Sequence, residues 1–149
     1  MIHLNSNAVI YRPVGQIFDF VSTPENDARW HYGTLASARL SEGIPSQGTF
    51  FRSIGHWMGR RNLSTFEVTE YTPHWNYGFK SLSGPLSSKT SYNLEIAESG
   101  GTRIHISIQA DAGDFLKMQE GILEKKMKKQ LKENLATLKG LLEAKSLAT

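Results

Sequence analysis

The spacing of apolar residues changes twice along the 149 residues of the chain, from helical to alternating and back to helical. Met1 to Arg12 reads as a first strand, with Val9, Ile10 and Tyr11 as its β-prone end. Val14, Ile17, Phe18 and Val21 then recur at helical spacing behind Pro13, which suits a first turn because it lacks an N–H. This predicts a short amphipathic helix over 13–22. Thr23 is predicted to cap a second, brief helix with Pro24 at its first position. Glu25 and Asp27 would meet the positive end of its dipole, and the helix would end near Trp30.

From residue 37 the period becomes two. SARLS, GTFFRSIGHW, RRNLSTFEVTEYT, HWNYGFKSL, KTSYNLEIAE and TRIHISIQAD all read as strands. The breaks between them carry turn residues, among them Gly43 to Gly48, Gly59, Thr72-Pro73, Ser83-Gly84-Pro85 and Ser99-Gly100-Gly101. Such short connections favour antiparallel neighbours. In the last strand Ile104, Ile106 and Ile108 share a face, and His105, Ser107 and Gln109 share the other. A sheet with one apolar face needs a cover.

The final period supplies it. From Asp114 to about Lys145 there is no proline, and Phe115, Met118, Ile122, Leu123, Met127, Leu131, Leu135, Leu138 and Leu142 recur mostly three or four apart. That predicts one amphipathic helix of about 45–50 Å. Glu124 and Lys128 are spaced for pairing along it. No repeat, linker or low-complexity tract divides the chain, so 1–149 reads as a single domain.

Composition narrows the chemistry. A chain of this length buries roughly 70% of its unfolded surface without help from disulfides or metals. The absence of cysteine removes disulfides, thiolate zinc sites and cysteine nucleophiles together. No run has the ~18 apolar residues of a membrane span, and no signal peptide is visible, so a cytoplasmic location is the default expectation. The net charge of +3 comes largely from lysines in the last quarter, including Lys125, Lys126, Lys128, Lys129 and Lys132. A solvated helix face accounts for these better than a nucleic-acid site, since no aromatics interleave them. The histidines lack metal-site spacing, so neither a metal nor a cofactor is expected.

Strand, helix pair, six-strand meander and long C-terminal helix is the order of the helix-grip fold. Local motifs agree. RPVGQIFDFVSTPENDARWH, IPSQGTFFR, FEVTEYTPHWNYGF and SGGTRIHISI, in that order, resemble segments of the polyketide cyclase/dehydrase-like branch of the START-like superfamily. Ser22-Thr23 stands where that branch often has Asp, and Ser46 replaces a Gly. The resemblance covers nearly the whole chain. It implies an α+β fold in which a curved antiparallel sheet of about seven strands wraps the long helix. It also implies an apolar cavity between them for a small hydrophobic or amphipathic molecule. Fold alone does not name that molecule.

The candidate ligand-binding set is Trp30, Tyr32, Phe51, Phe66, Val68, Tyr77, Phe79, Tyr92, Phe115, Met118 and Ile122. Strand alternation turns Phe66 with Val68, Tyr77 with Phe79, and Tyr92 with Leu94 and Ile96 to common faces. The family geometry would put Trp30 and Tyr32 at the cavity mouth. His31 is the one histidine considered for acid–base work, against the plainer reading of a surface residue after a short helix. No catalytic residue is assigned. Three functions are weighed: binding of a lipid, polyketide-like or aromatic compound; a cyclase or dehydratase acting without metal; and a membrane or protein adaptor using the basic helix. A homodimer stays open.

Overall fold

The computed structural model describes residues 1–57, 59–111, 113 and 119–145. Seven strands and two α-helices follow in the order β1 (Ile2–Ile10), α1 (Val14–Val21), β2 (Thr34–Arg39), β3 (Phe50–Trp57), β4 (Arg60–Thr72), β5 (Asn76–Ser83), β6 (Ser87–Ile96), β7 (Thr102–Asp111) and α2 (Glu120–Lys145), with a 3-10 helix over Pro24–Arg29 between α1 and β2. The strands form one antiparallel sheet in the order β1-β7-β6-β5-β4-β3-β2. Strands β2 to β7 are a plain meander. β1 closes the other side by pairing with β7 from Ile2 opposite Ala110 to Ile10 opposite Thr102.

The period-two pattern sets the inner face. One row across the sheet runs Ile106, Tyr92, Tyr77, Tyr71; the next runs Leu4, Ile108, Thr90, Phe79, Val68. Register shifts at Thr34/Ala36, Thr65/Phe66 and Val68/Glu70 mark irregularities on the β2 side. Such bulges add local twist and bend, which helps a sheet curl round a helix. The first of them explains why β2 begins at Thr34, earlier than the predicted 37: its alternation is broken at Leu35. β3 comes so close to the chain before β2 that a Cβ on Gly55 would lie 2.7 Å from the Gly33 carbonyl oxygen. Only glycine fits there without a shift.

The two small helices arise as predicted, with one local difference. Thr23 does not cap the 3-10 helix with its side chain; its hydroxyl donates back to the Asp19 carbonyl at 2.6 Å. Ile17, Phe18, Phe20 and Val21 of α1 enter the core. His74, in the β4–β5 turn, takes a left-handed φ of 77° and sets its ring edge against Phe18.

The long helix α2 buries Leu131, Leu135, Leu138 and Leu142, while Leu123 and Met127 are only partly covered. Its C-terminal end is latched to the end of β1. Arg12 donates from Nε to the Leu142 carbonyl and from Nη2 to the Glu143 carbonyl, both at 3.0 Å, serving acceptors that a helix end leaves unpaired. Lys139 Nζ donates to the Val9 carbonyl at 2.6 Å and to Glu143 at 2.8 Å, and lies over the Tyr11 ring. The helix's i,i+4 ion pair is therefore Lys139–Glu143 in place of the expected Glu124–Lys128.

Packing makes a sharp contrast along α2. Leu138→Ala should cost about 2–5 kcal/mol, since it opens a cavity where the side chain is fully buried. Ile122→Ala, at a position 64% exposed, should change stability by about 0.5 kcal/mol or less. Urea denaturation of both variants measures this. Equal losses would contradict the packing described.

Candidate functional site

Between the inner face of the sheet and the N-terminal part of α2 lies an open cavity of about 320 Å³. That is within the usual range for small-molecule pockets, roughly 300–1,000 Å³. It exists because several inward positions carry small side chains. Strand β3 presents Phe51, Ser53 and Gly55 on the cavity side, β4 presents Asn62, Ser64 and Phe66, and β6 presents Ser88, Thr90 and Tyr92. Larger residues at the serines and glycine would fill the space. Met127, Leu131 and Asn134 of α2 form the opposite wall.

The apolar wall is an aromatic cluster. Phe51 stacks on Phe66 with ring centroids 5.0 Å apart. Phe79 meets both edge-on, at 5.3 and 5.5 Å, and Tyr92 at 5.9 Å. Edge-on and offset contacts of this kind add to area burial and hold the rings in place.

Asp27, Trp30, His31 and Tyr92 also line the cavity. The 3-10 helix delivers the first three. The backbone N–H groups of Trp30 and His31 both donate to the Asp27 carbonyl, at 3.1 and 2.8 Å. The Trp30 ring packs edge-on to His31 at 3.9 Å and lies 5.8 Å from Tyr92. The Tyr92 hydroxyl is 3.4 Å from His31 Nε2, which accepts from it in the Nδ1–H tautomer. Burial pushes His31 down to about 4. Burial, reinforced by Glu25, holds the Asp27 carboxyl well above the usual carboxylate range. Burial, with Asp27 and Tyr77 nearby, raises Tyr92 likewise. All three groups are thus driven toward their neutral forms.

The structure separates the sequence-derived candidates. Trp30, Phe51, Phe66, Phe79 and Tyr92 line the cavity. Val68 and Tyr77 are buried but stand in the core behind that wall. Tyr32 is 83% exposed and is not among the residues lining the cavity, although its backbone N–H donates to Oδ1 of Asn134, which is. Ile122 is exposed because it lies nearly opposite Leu131 around α2 at 3.6 residues per turn, on the outer face of the helix. Ile96, at the end of β6, is exposed as well, unlike its face-mates Tyr92 and Leu94. Phe115 and Met118 lie outside the described residues. His31 is no surface histidine; it belongs to the cavity wall. Asp27, Asn134 and the inward serines were not singled out from sequence. The signal for the serines was their place on the same alternation as Phe51, Phe66 and Tyr92. Among the described residues no three His, Asp or Glu side chains are grouped to hold a metal, and no helix is long and apolar enough to cross a membrane.

Comparison with known proteins agrees with this geometry. The family described as polyketide cyclase / dehydrase and lipid transport matches residues 1–143. No curated protein matches the sequence. Among solved structures, TTHA0849 from Thermus thermophilus superposes with a TM-score of 0.81 at 16% identity, over 97% of this chain and 99% of that one. The Zhui aromatase/cyclase from Streptomyces sp. R1128 gives 0.77 at 16%, over 95% and 93%. A START superfamily protein from Mycobacterium smegmatis gives 0.72 at 14%, over 99% of both chains. At these identities the likeness establishes the fold.

The buried groups set a pH dependence. Between about pH 6.5 and about 4 the unfolded chain protonates His31 while the native state keeps it neutral, so stability falls as pH drops through that window. His31→Leu should therefore lose less in Tm than the parent between pH 7.5 and 5. Asp27 has the opposite sign: the unfolded chain releases its proton above about 3.8 while the native state retains it, at a cost that grows with pH. Asp27→Asn should raise Tm at pH 7.5. Thermal melts at the two pH values check both, and parallel melts for parent and His31→Leu would contradict the buried neutral imidazole.

Proposed function

The chain belongs to the polyketide cyclase/dehydrase and lipid-transport family, and we propose on that premise that it binds a small hydrophobic or amphipathic molecule between sheet and α2. A lipid, a polyketide-like compound or an aromatic compound fits this description. The observation that carries the proposal is the cavity itself: about 320 Å³, open to solvent, with Phe51, Phe66, Phe79, Ile106, Ile108 and Leu131 in its wall. An apolar space with a few placed polar groups is the usual form of a ligand site.

A second reading is favoured by one cluster. Asp27, His31 and Tyr92 bring a carboxyl, a neutral imidazole and a hydroxyl to the same cavity, and such groups can move protons on a bound substrate. A cyclase or dehydratase would need this in addition to a pocket that folds a flexible chain. Under that reading turnover of a polyketide-like substrate falls when His31 is replaced by Gln. Under the binding reading no turnover exists to lose.

Native mass spectrometry of the purified protein, compared with its denatured mass, should reveal a copurified apolar compound near one-to-one. Hydrophobic probes added to empty protein should raise Tm, by about 2.7 kcal/mol of stabilisation at a hundred times Kd. Ser88→Phe, which fills the cavity from β6, should abolish the response. A panel that leaves Tm unmoved, with no copurified compound, would refute the proposal.

A further inference from the structure

We infer that the cavity selects a neutral ligand bearing a hydroxyl or carbonyl group, seated against Asp27, His31 and Tyr92, and rejects carboxylates and phosphates. This deepens the binding function proposed above and rests on it.

The first ground is what lines the cavity. Apart from Asp27 and the two histidines, its polar side chains are alcohols and amides: Thr34, Ser53, Asn62, Ser64, Ser88, Thr90, Tyr92 and Asn134. Among the described residues no lysine or arginine lines it. Four cations on the flanking elements are engaged or turned outward. Arg39 pairs with Glu25 and Lys80 with Glu67, Arg29 lies over the Phe20 ring, and Arg52 alternates away from Phe51 to the exposed face. His56, the second histidine of the wall, is exposed. A ligand anion reaching the inner wall would meet no guanidinium or ammonium group there, and a carboxyl beside it. Burying an unpaired charge in that setting is strongly unfavourable.

The second ground is the geometry of the polar cluster. Tyr92 OH and His31 Nε2 stand 3.4 Å apart, a long contact that leaves both able to take a further partner. The indole N–H of Trp30, packed on His31, is buried with no hydrogen-bond partner. Buried donors are rarely left so. A carbonyl or hydroxyl oxygen accepts hydrogen bonds from such O–H and N–H donors, and a hydroxyl can also donate to the imidazole. Because burial keeps the Asp27 carboxyl protonated more readily, it too is disposed to donate.

The third ground is size. A cavity of about 150 Å³ takes benzene, and this one, at about 320 Å³, has room for a fused bicyclic molecule. The class is therefore a bicyclic-scale phenol, alcohol or ketone.

Isothermal titration calorimetry at pH 7.5 with naphthalene, 2-naphthol and 2-naphthoate tests this on the full chain. The expected result is 2-naphthol binding at least tenfold tighter than 2-naphthoate and severalfold tighter than naphthalene. Tyr92→Phe should bring 2-naphthol to the naphthalene level while leaving naphthalene within about twofold, which also shows that the variant is folded. His31→Phe reads the same contact should Tyr92→Phe be unstable. Naphthoate binding as well as naphthol, or naphthol no better than naphthalene, overturns the inference and leaves the binding function standing. Absence of binding by all three overturns the inference, while the copurification and thermal-shift experiments decide the binding function separately.

Discussion

Leu131, Leu135, Leu138 and Leu142 of α2 are covered, and everything else in the molecule is arranged around how they are covered. They sit in one core with Ile2, Leu4 and Ile10 of β1 and Ile104 and Ile106 of β7. Arg12 and Lys139 then bind the same end of the helix to the end of β1 by hydrogen bonds to main-chain carbonyls. Apolar burial supplies most of the free energy of such a contact, and the charged hydrogen bonds fix where along the helix it is made. The sheet must curl to reach this helix. Once it has curled, the half of α2 that carries Leu123 and Met127 spans a space that β3, β4 and β6 do not fill.

That space carries polar groups that the core lacks. In β3 and β4 the rule of apolar inside and polar outside is reversed near the hairpin: Ile54 and Leu63, paired across the strands, face outward, while Ser53, Asn62 and Ser64 face the cavity. Exposing two large aliphatic side chains and lining the interior with alcohols and amides gives up burial energy that a plain core would have kept. Asp27, His31 and Tyr92 extend the same trend, since each is kept in surroundings that oppose its charge. Local sacrifice of stability of this kind is concentrated where proteins bind or react.

Much of this was legible in the chain. The spans of β4 and β7 read from alternation alone coincide with those observed, Arg60–Thr72 and Thr102–Asp111, because each is long, regular and bounded by turn residues. The helix-grip order followed from the three successive periods. Faces were harder. Period two shows which residues share a face and not which face is inside, and where polarity inverts, as at Ile54 and Leu63, the hydrophobic rule points the wrong way. Ile96 and Ile122 were misplaced for different reasons: Ile96 continues an apolar alternation into the exposed end of β6, while Ile122 sits nearly opposite Leu131 around α2. Tyr32 and His31 are adjacent, yet one is in solvent and the other in the cavity wall. That difference is decided by the bend after the 3-10 helix, where His31 N–H turns back to the Asp27 carbonyl and Tyr32 N–H reaches Asn134. Local composition does not encode such a bend.

The latch at one end of α2 also has a counterpart at the other. From Lys139 back to Glu120 the helix runs about 19 residues, or ~29 Å at 1.5 Å per residue. Glu120 pairs with the amino group of Met1, at the start of β1. The helix is therefore tied at both ends to a single edge strand, and Met127 and Leu131, which roof the cavity, lie between the two ties. The roof is a beam supported at its ends, and the seating of α2 along β1 sets its height above the aromatic wall.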